Sequence, residues 1–193
     1  MSKEREIVVL FSSQSLYDVE DTLEVLLSTL RGPKEPAKPK PDKFGMPPEY
    51  IQARENLIRS SPSFWENLMA RHTTLDIYGF ISRLGCKPRI ITTGRHFNSG
   101  RPGFYWIQDH FLGSDILHTE TPRAVKGDVL VDIDIPRIAE WCISNPQGLA
   151  IIPQAPENKY YNIQGVEGYV RYNGTNSKEY KKAIVEKLGL NKK

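Results

Sequence analysis

Two cysteines in 193 residues, Cys86 and Cys142, lie far apart and outside any metal-ligand spacing. They exclude a zinc site and a disulfide framework, and leave reduced thiols as the expectation. The four histidines, His72, His96, His110 and His118, are equally scattered, and no two are spaced as a helical metal pair. No stretch approaches the ~18 consecutive apolar residues that cross a bilayer. No Gly-x-Ser-x-Gly elbow is present, so Asp109-His110 and the distant serines have no hydrolase-triad setting. Charge of one sign is also missing: 26 basic against 23 acidic residues leave +3, no electrostatic footprint for nucleic acid. The first residues, Met1-Ser2-Lys3-Glu4-Arg5-Glu6, lack the apolar region of a secretory signal, and the expectation is an intracellular, cytoplasmic protein. There is no internal repeat.

What is present is a 39% hydrophobic chain able to bury one core. Ile7-Val8-Val9-Leu10-Phe11 is short, continuously apolar and β-branched, the pattern of a central parallel strand covered on both faces. It runs into Ser12-Ser13-Gln14-Ser15, at the strand end where open α/β sheets bind ligands. Further strands are expected at residues 89–94, 127–132 and 148–152, with an edge strand at 168–172. Helical spacing marks residues 18–30, 48–59, 74–84, 104–111, 136–142 and 177–188, with Gly85 closing one helix and Asn176 and Glu179 spaced as a cap box. This alternation predicts an α/β fold with a doubly wound parallel sheet.

Between the first strand and residue 69 the pattern is all helical, interrupted at residues 31–47 by an extended loop rich in proline and lysine. Gly94 to Gly103 forms a second loop, rich in glycine and carrying Arg95 and Arg101, that follows the 89–94 strand. It reads equally as a flexible connection or an anion-contacting lid. The aromatics Phe64-Trp65 and Phe104-Tyr105-Trp106 fit core packing, with Phe64 or Trp65 a candidate platform for a base.

Several segments resemble the haloacid dehalogenase-like phosphatases, and within them the 5′(3′)-deoxyribonucleotidases. They are the first strand and its loop, Phe64-Trp65-Glu66-Asn67-Leu68, Ile90-Ile91-Thr92-Thr93, Lys126-Gly127-Asp128-Val129-Leu130-Val131-Asp132, and Pro136-Arg137-Ile138-Ala139-Glu140-Trp141. The resemblance covers residues 5–190. It implies a Rossmann-like core from residues 1–17 and 70–193, with a small helical cap from residues 18–69.

It also implies a chemistry. Such enzymes use an aspartate at the end of the first strand as phosphoryl acceptor and another, two positions on, as acid and base. Here those positions hold Ser12 and Gln14. A serine without an adjacent base is a poor nucleophile, and an amide cannot shuttle a proton. By the same resemblance Thr92, Thr93, Gly94, Arg95 and Arg123 are the candidate phosphate-binding residues, and Asp128, Asp132 and Asp134 the candidate magnesium ligands. Losing an anionic ligand at Ser12 weakens the expected magnesium site.

Three functions are carried forward. The leading one is a non-catalytic pseudophosphatase that binds a nucleotide, a phosphate or a protein partner. The second is an active magnesium-dependent 5′-nucleotidase using rearranged carboxylates such as Asp18, with Asp21 a further candidate, together with Asp128 and Asp132. The third is a structural subunit of a larger assembly, contacting its partner through the 31–47 loop.

Overall fold

The computed structural model describes residues 6–35, 48–93, 100–161 and 167–190. Six parallel strands form one sheet: β1 (Val9–Ser12), β4 (Pro88–Thr92), β5 (Asp115–His118), β6 (Val129–Val131), β7 (Leu149–Pro153) and β8 (Tyr169–Tyr172). Their order is β5-β4-β1-β6-β7-β8. From β1 the chain builds outward through β4 to β5, then returns to place β6 on the other side of β1. The order therefore reverses between β1 and β6, and the crevice beyond their carboxyl ends is the ligand position of such sheets.

The alternation of side chains along β1 sorts the core into two layers. Val9 and Phe11 face a large cluster with Ile77 and Ile81 of α5 (His72–Arg83), Ile107 of α6 (Pro102–His110) and Ile184 of α8 (Ser177–Lys187). Leu10 faces Ile138, Trp141 and Cys142 of α7 (Ile135–Ser144). The expected edge strand is β8. The Asn176–Glu179 cap box does not form, because Asn176 Nδ2 donates to Glu179 Oε2 at 2.8 Å and its Oδ1 accepts the backbone N–H of Asn173 at 3.2 Å. Strand β5 was not expected from sequence. It is short and mostly exposed, so no apolar run announces it.

Trp141 also fixes a turn. Its Nε1 donates to Val125 O at 2.9 Å, beside the 3-10 turn Pro122–Ala124, and its ring lies against Gly148. A Cβ on Gly148 falls 2.4 Å from Trp141 Cη2 and 2.9 Å from Asn145 O. Gly148→Ala is therefore expected to cost about 1–3 kcal/mol through overpacking, read as a lower urea midpoint at unchanged slope.

On the carboxyl side of the sheet β1 continues into one helical turn, α1 (Ser13–Leu16), and then β2 (Tyr17–Asp18), which pairs antiparallel with β3 (Met69–Ala70). Helices α2 (Val19–Leu30), α3 (Glu49–Ser60) and α4 (Pro62–Glu66) lie between the two strands of this ribbon. Residues 36–47 of the proline- and lysine-rich loop lie outside the described residues.

Candidate functional site

The turn after β1 is stitched to its neighbours by short polar side chains. Ser15 Oγ lies 2.7 Å from Ser12 O and 3.3 Å from Val131 O, and Thr74 Oγ1 of α5 donates to Ser15 O at 2.6 Å. These bonds satisfy buried carbonyls that a tight one-turn helix leaves without partners. They hold Ser12 and Gln14 at the carboxyl end of the sheet, facing the end of β6.

There, Asp132 is fully buried and its carboxylate is saturated. Oδ1 accepts the backbone N–H of Ile133 at 2.7 Å and of Asp134 at 3.2 Å, and also Arg137 Nη2 at 2.8 Å. Oδ2 accepts Arg137 Nε. The same Nη2 donates to Gln14 Oε1 at 2.9 Å. An arginine from the first turn of α7 thus lies between the two strand ends, forked onto the carboxylate in the bidentate geometry that makes such pairs strong. Burial works against the Arg137 charge, but the hydrogen bond and ion pair with Asp132 more than offset it and hold the guanidinium above its usual pKa.

Ser12, Thr93, Asp132 and Arg137 line a void of only ≈ 10 Å³, closed by Ile91, Leu130, Pro122 and Trp141. That is the threshold volume for a single water. Beside it opens a cleft of ≈ 500 Å³ between the strand ends and the α2–α4 helices. Val19 of α2, Arg59 of α3 and Trp65 of α4 face Gln14, Tyr17, Asp134 and Tyr161 across it. Trp65 Nε1 donates to Arg59 O at 2.8 Å, which fixes the indole at the wall. The Tyr17 phenol is held well above its ordinary pKa, by burial first, against the opposing pull of Arg137, Arg59 and Arg71. It is neutral at any working pH.

No family model and no curated protein matches the sequence. Among solved structures, a haloacid dehalogenase-like family hydrolase from Xanthomonas campestris aligns over 97% of this chain and 98% of its own, at 11% identity and a TM-score of 0.51. The fold is that of the haloacid dehalogenase-like hydrolases. A second similar structure is CbbY from Rhodobacter sphaeroides in complex with xylulose-1,5-bisphosphate, 10% identical over 86% of this chain and 94% of that one, with a TM-score of 0.44.

On this haloacid dehalogenase-like fold, several expected site residues stand elsewhere. Asp128 and Asp132 flank the three residues of β6, so about 13 Å of extended chain separates them. Asp128 sits at the amino end of the strand, where Oδ2 accepts Val8 N at 2.9 Å, and it is no partner of Asp132 for one ion. Asp134 caps α7, its Oδ1 accepting Arg137 N at 3.0 Å. Asp18 caps α2 and pairs with Arg71 at 3.3 Å, away from any carboxylate cluster, and Asp21 donates its backbone N–H to that cap. The 59% exposed Arg123 pairs with Glu140 at 3.2 Å instead of turning to the crevice. Phe64 is core, 2% exposed and edge-on to Trp65, which alone of the two lines the cleft. Thr92 Oγ1 lies 3.2 Å from His118 Nδ1, and Thr93 is the threonine at the void. Gly94 and Arg95 lie outside the described residues.

Magnesium asks for six oxygen ligands, usually one or two free carboxylates with waters and substrate phosphate making up the rest. The crevice offers Asp132, already bonded to a guanidinium and two backbone amides, and Asp134, whose Oδ1 caps α7 and whose Oδ2 faces the same guanidinium, plus a hydroxyl and a side-chain amide. The donor set does not fit the ion. Among the described residues no three His, Cys, Asp or Glu converge as a metal site, and no helix is long and apolar enough to cross a membrane.

Arg137 is the residue that sequence reasoning missed. A signal was available: a cation in the first turn of a helix opposes the macrodipole, and such a residue calls for an anion close by.

Proposed function

We propose that this chain is a pseudophosphatase, a haloacid dehalogenase-like protein that binds a nucleotide-sized ligand without transferring its phosphoryl group. The proposed layout is a core of residues 1–17 and 70–193 with a cap of residues 18–69, related to the 5′(3′)-deoxyribonucleotidases. The observation that carries it is what stands at the two strand-end positions: Ser12 lines a void of only ≈ 10 Å³, and Gln14, on the wall of an open cleft of ≈ 500 Å³, is bonded to Arg137. Phosphoryl transfer through an acyl-phosphate needs an anionic nucleophile and a proton donor, and Ser12 and Gln14 supply neither. The cleft, by contrast, has the size of small-molecule sites, about 300–1,000 Å³. Its aromatic walls, Trp65, Tyr17 and Tyr161, suit a planar ring, and Arg59 suits an anionic substituent. The alternative of an active 5′-nucleotidase built on Asp18 and Asp128 gains no support, because each of these carboxylates is engaged away from Asp132.

The test is a thermal-shift panel of nucleosides and nucleoside monophosphates, with and without magnesium. A ligand that binds the native state raises Tm. The reading expects stabilisation by at least one compound, independent of magnesium, and its loss in Trp65→Ala. Removing an aromatic stack costs about 1–3 kcal/mol, roughly tenfold or more in Kd. Stabilisation that requires magnesium, or that survives Trp65→Ala unchanged, contradicts the proposed site.

A further inference from the structure

We propose that the Arg137 guanidinium is the resident cation of the crevice, plugging a latent cation site formed by Asp132 and Gln14. The inference rests on the reading of the crevice as non-catalytic and adds what keeps it closed. Three oxygen acceptors converge on one guanidinium: Asp132 Oδ1 and Oδ2, and Gln14 Oε1. Asp134 Oδ2 stands 3.9 Å from the same Nη2. The carboxylate is set in position before the cation arrives, because the N–H groups of Ile133 and Asp134 both point at Oδ1. Asp132 has no exposed surface, and a buried carboxylate needs a compensating charge.

The helix does not supply a reason for an arginine here. Position 137 lies in the first turn of α7, where the N-terminal end of the dipole repels a cation, so the attraction that holds the guanidinium comes from Asp132. Its aliphatic stem enters the crevice on the side of Trp141, one turn along the same helix face, and both side chains line the residual void. Removing the side chain beyond Cβ therefore leaves a cation-shaped, oxygen-lined space with a buried charge at its floor.

The probe is free guanidinium, compared with sodium at equal ionic strength, with magnesium as a second ion. Three proteins are melted: the wild type, Arg137→Ala, and Arg137→Ala combined with Asp132→Asn. At a free ion concentration about a hundredfold above its Kd, one site shifts Tm by roughly 5–10 °C for a chain of this size. We expect millimolar guanidinium to raise the Tm of Arg137→Ala in this way, with the wild type and the double variant responding no more than to sodium. Magnesium is expected to act on the same variant more weakly, since Asp132 Oδ1 is already bonded to two backbone amides and Asp134 Oδ1 to the α7 cap. Arg137→Ser, which also ends short of the carboxylate, replaces the alanine variant if that fails to fold, with the same expected readings. A single variant as indifferent as the wild type, or a double variant that responds as strongly as the single, overturns the proposal. Phosphatase activity in the wild type overturns the proposed function and leaves these shifts unchanged, so the two failures are distinguishable.

Discussion

Purified protein incubated with magnesium and a deoxynucleoside monophosphate or an aryl phosphate is expected to turn over slower than about 0.1 per second, a hundredfold below the typical ~10 per second. Among the described residues no side-chain base is hydrogen-bonded to Ser12 Oγ, and Gln14 Oε1 already accepts a hydrogen bond from Arg137. Ser12→Asp with Gln14→Asp is expected to leave both hydrolysis and magnesium binding undetectable. The returned carboxylates meet a guanidinium in place of open space, and they pair with it. Only when Arg137→Ala is added does calorimetry show magnesium uptake, because two or three carboxylates then face a vacated position. Magnesium binding to the Ser12→Asp/Gln14→Asp protein with Arg137 intact contradicts this order of events.

Arg137→Ala is expected to lower stability by about 3–5 kcal/mol, the cost of leaving a buried carboxylate without its partner. For a chain of this length each kcal/mol moves Tm by about 2–4 °C. The pair differs from the exposed pairs Lys87–Asp115 and Arg123–Glu140, whose loss is expected to cost at most about 1 kcal/mol. Arg137→Met together with Asp132→Asn is expected to cost less than Arg137→Ala alone, because neither member leaves a buried charge. Urea titration of the variants measures each. A cost for Arg137→Ala near that of Lys87→Ala, or a double variant weaker than the single, contradicts the pairing.

Much of the frame was legible in the sequence because burial on both faces leaves continuous apolar runs. Residues 7–11, 127–132 and 148–152 each announced a strand, and the crevice rule put Ser12 and Asp132 at one end of the sheet. Strand β5 left no such trace, being short and exposed at the edge. The resemblance implied a joint magnesium role for Asp128 and Asp132, but strand translation carries the two carboxylates to opposite ends of β6. Phe64 and Trp65 adjoin on one short helix, and only packing decides that the first is core and the second wall. The resemblance implies phosphate-binding cations upstream of Asp132, at Arg95 and Arg123, whereas Arg137 lies downstream of it. Its position, three residues past a helix cap and five past the carboxylate, was the clue.

If the Arg137 guanidinium is the resident cation of the crevice, anomalous diffraction from a crystal soaked in manganese and inorganic phosphate shows density for that guanidinium between Asp132 and Gln14 and no anomalous peak there. A manganese peak ligated by Asp132, with Arg137 turned away, would contradict that role.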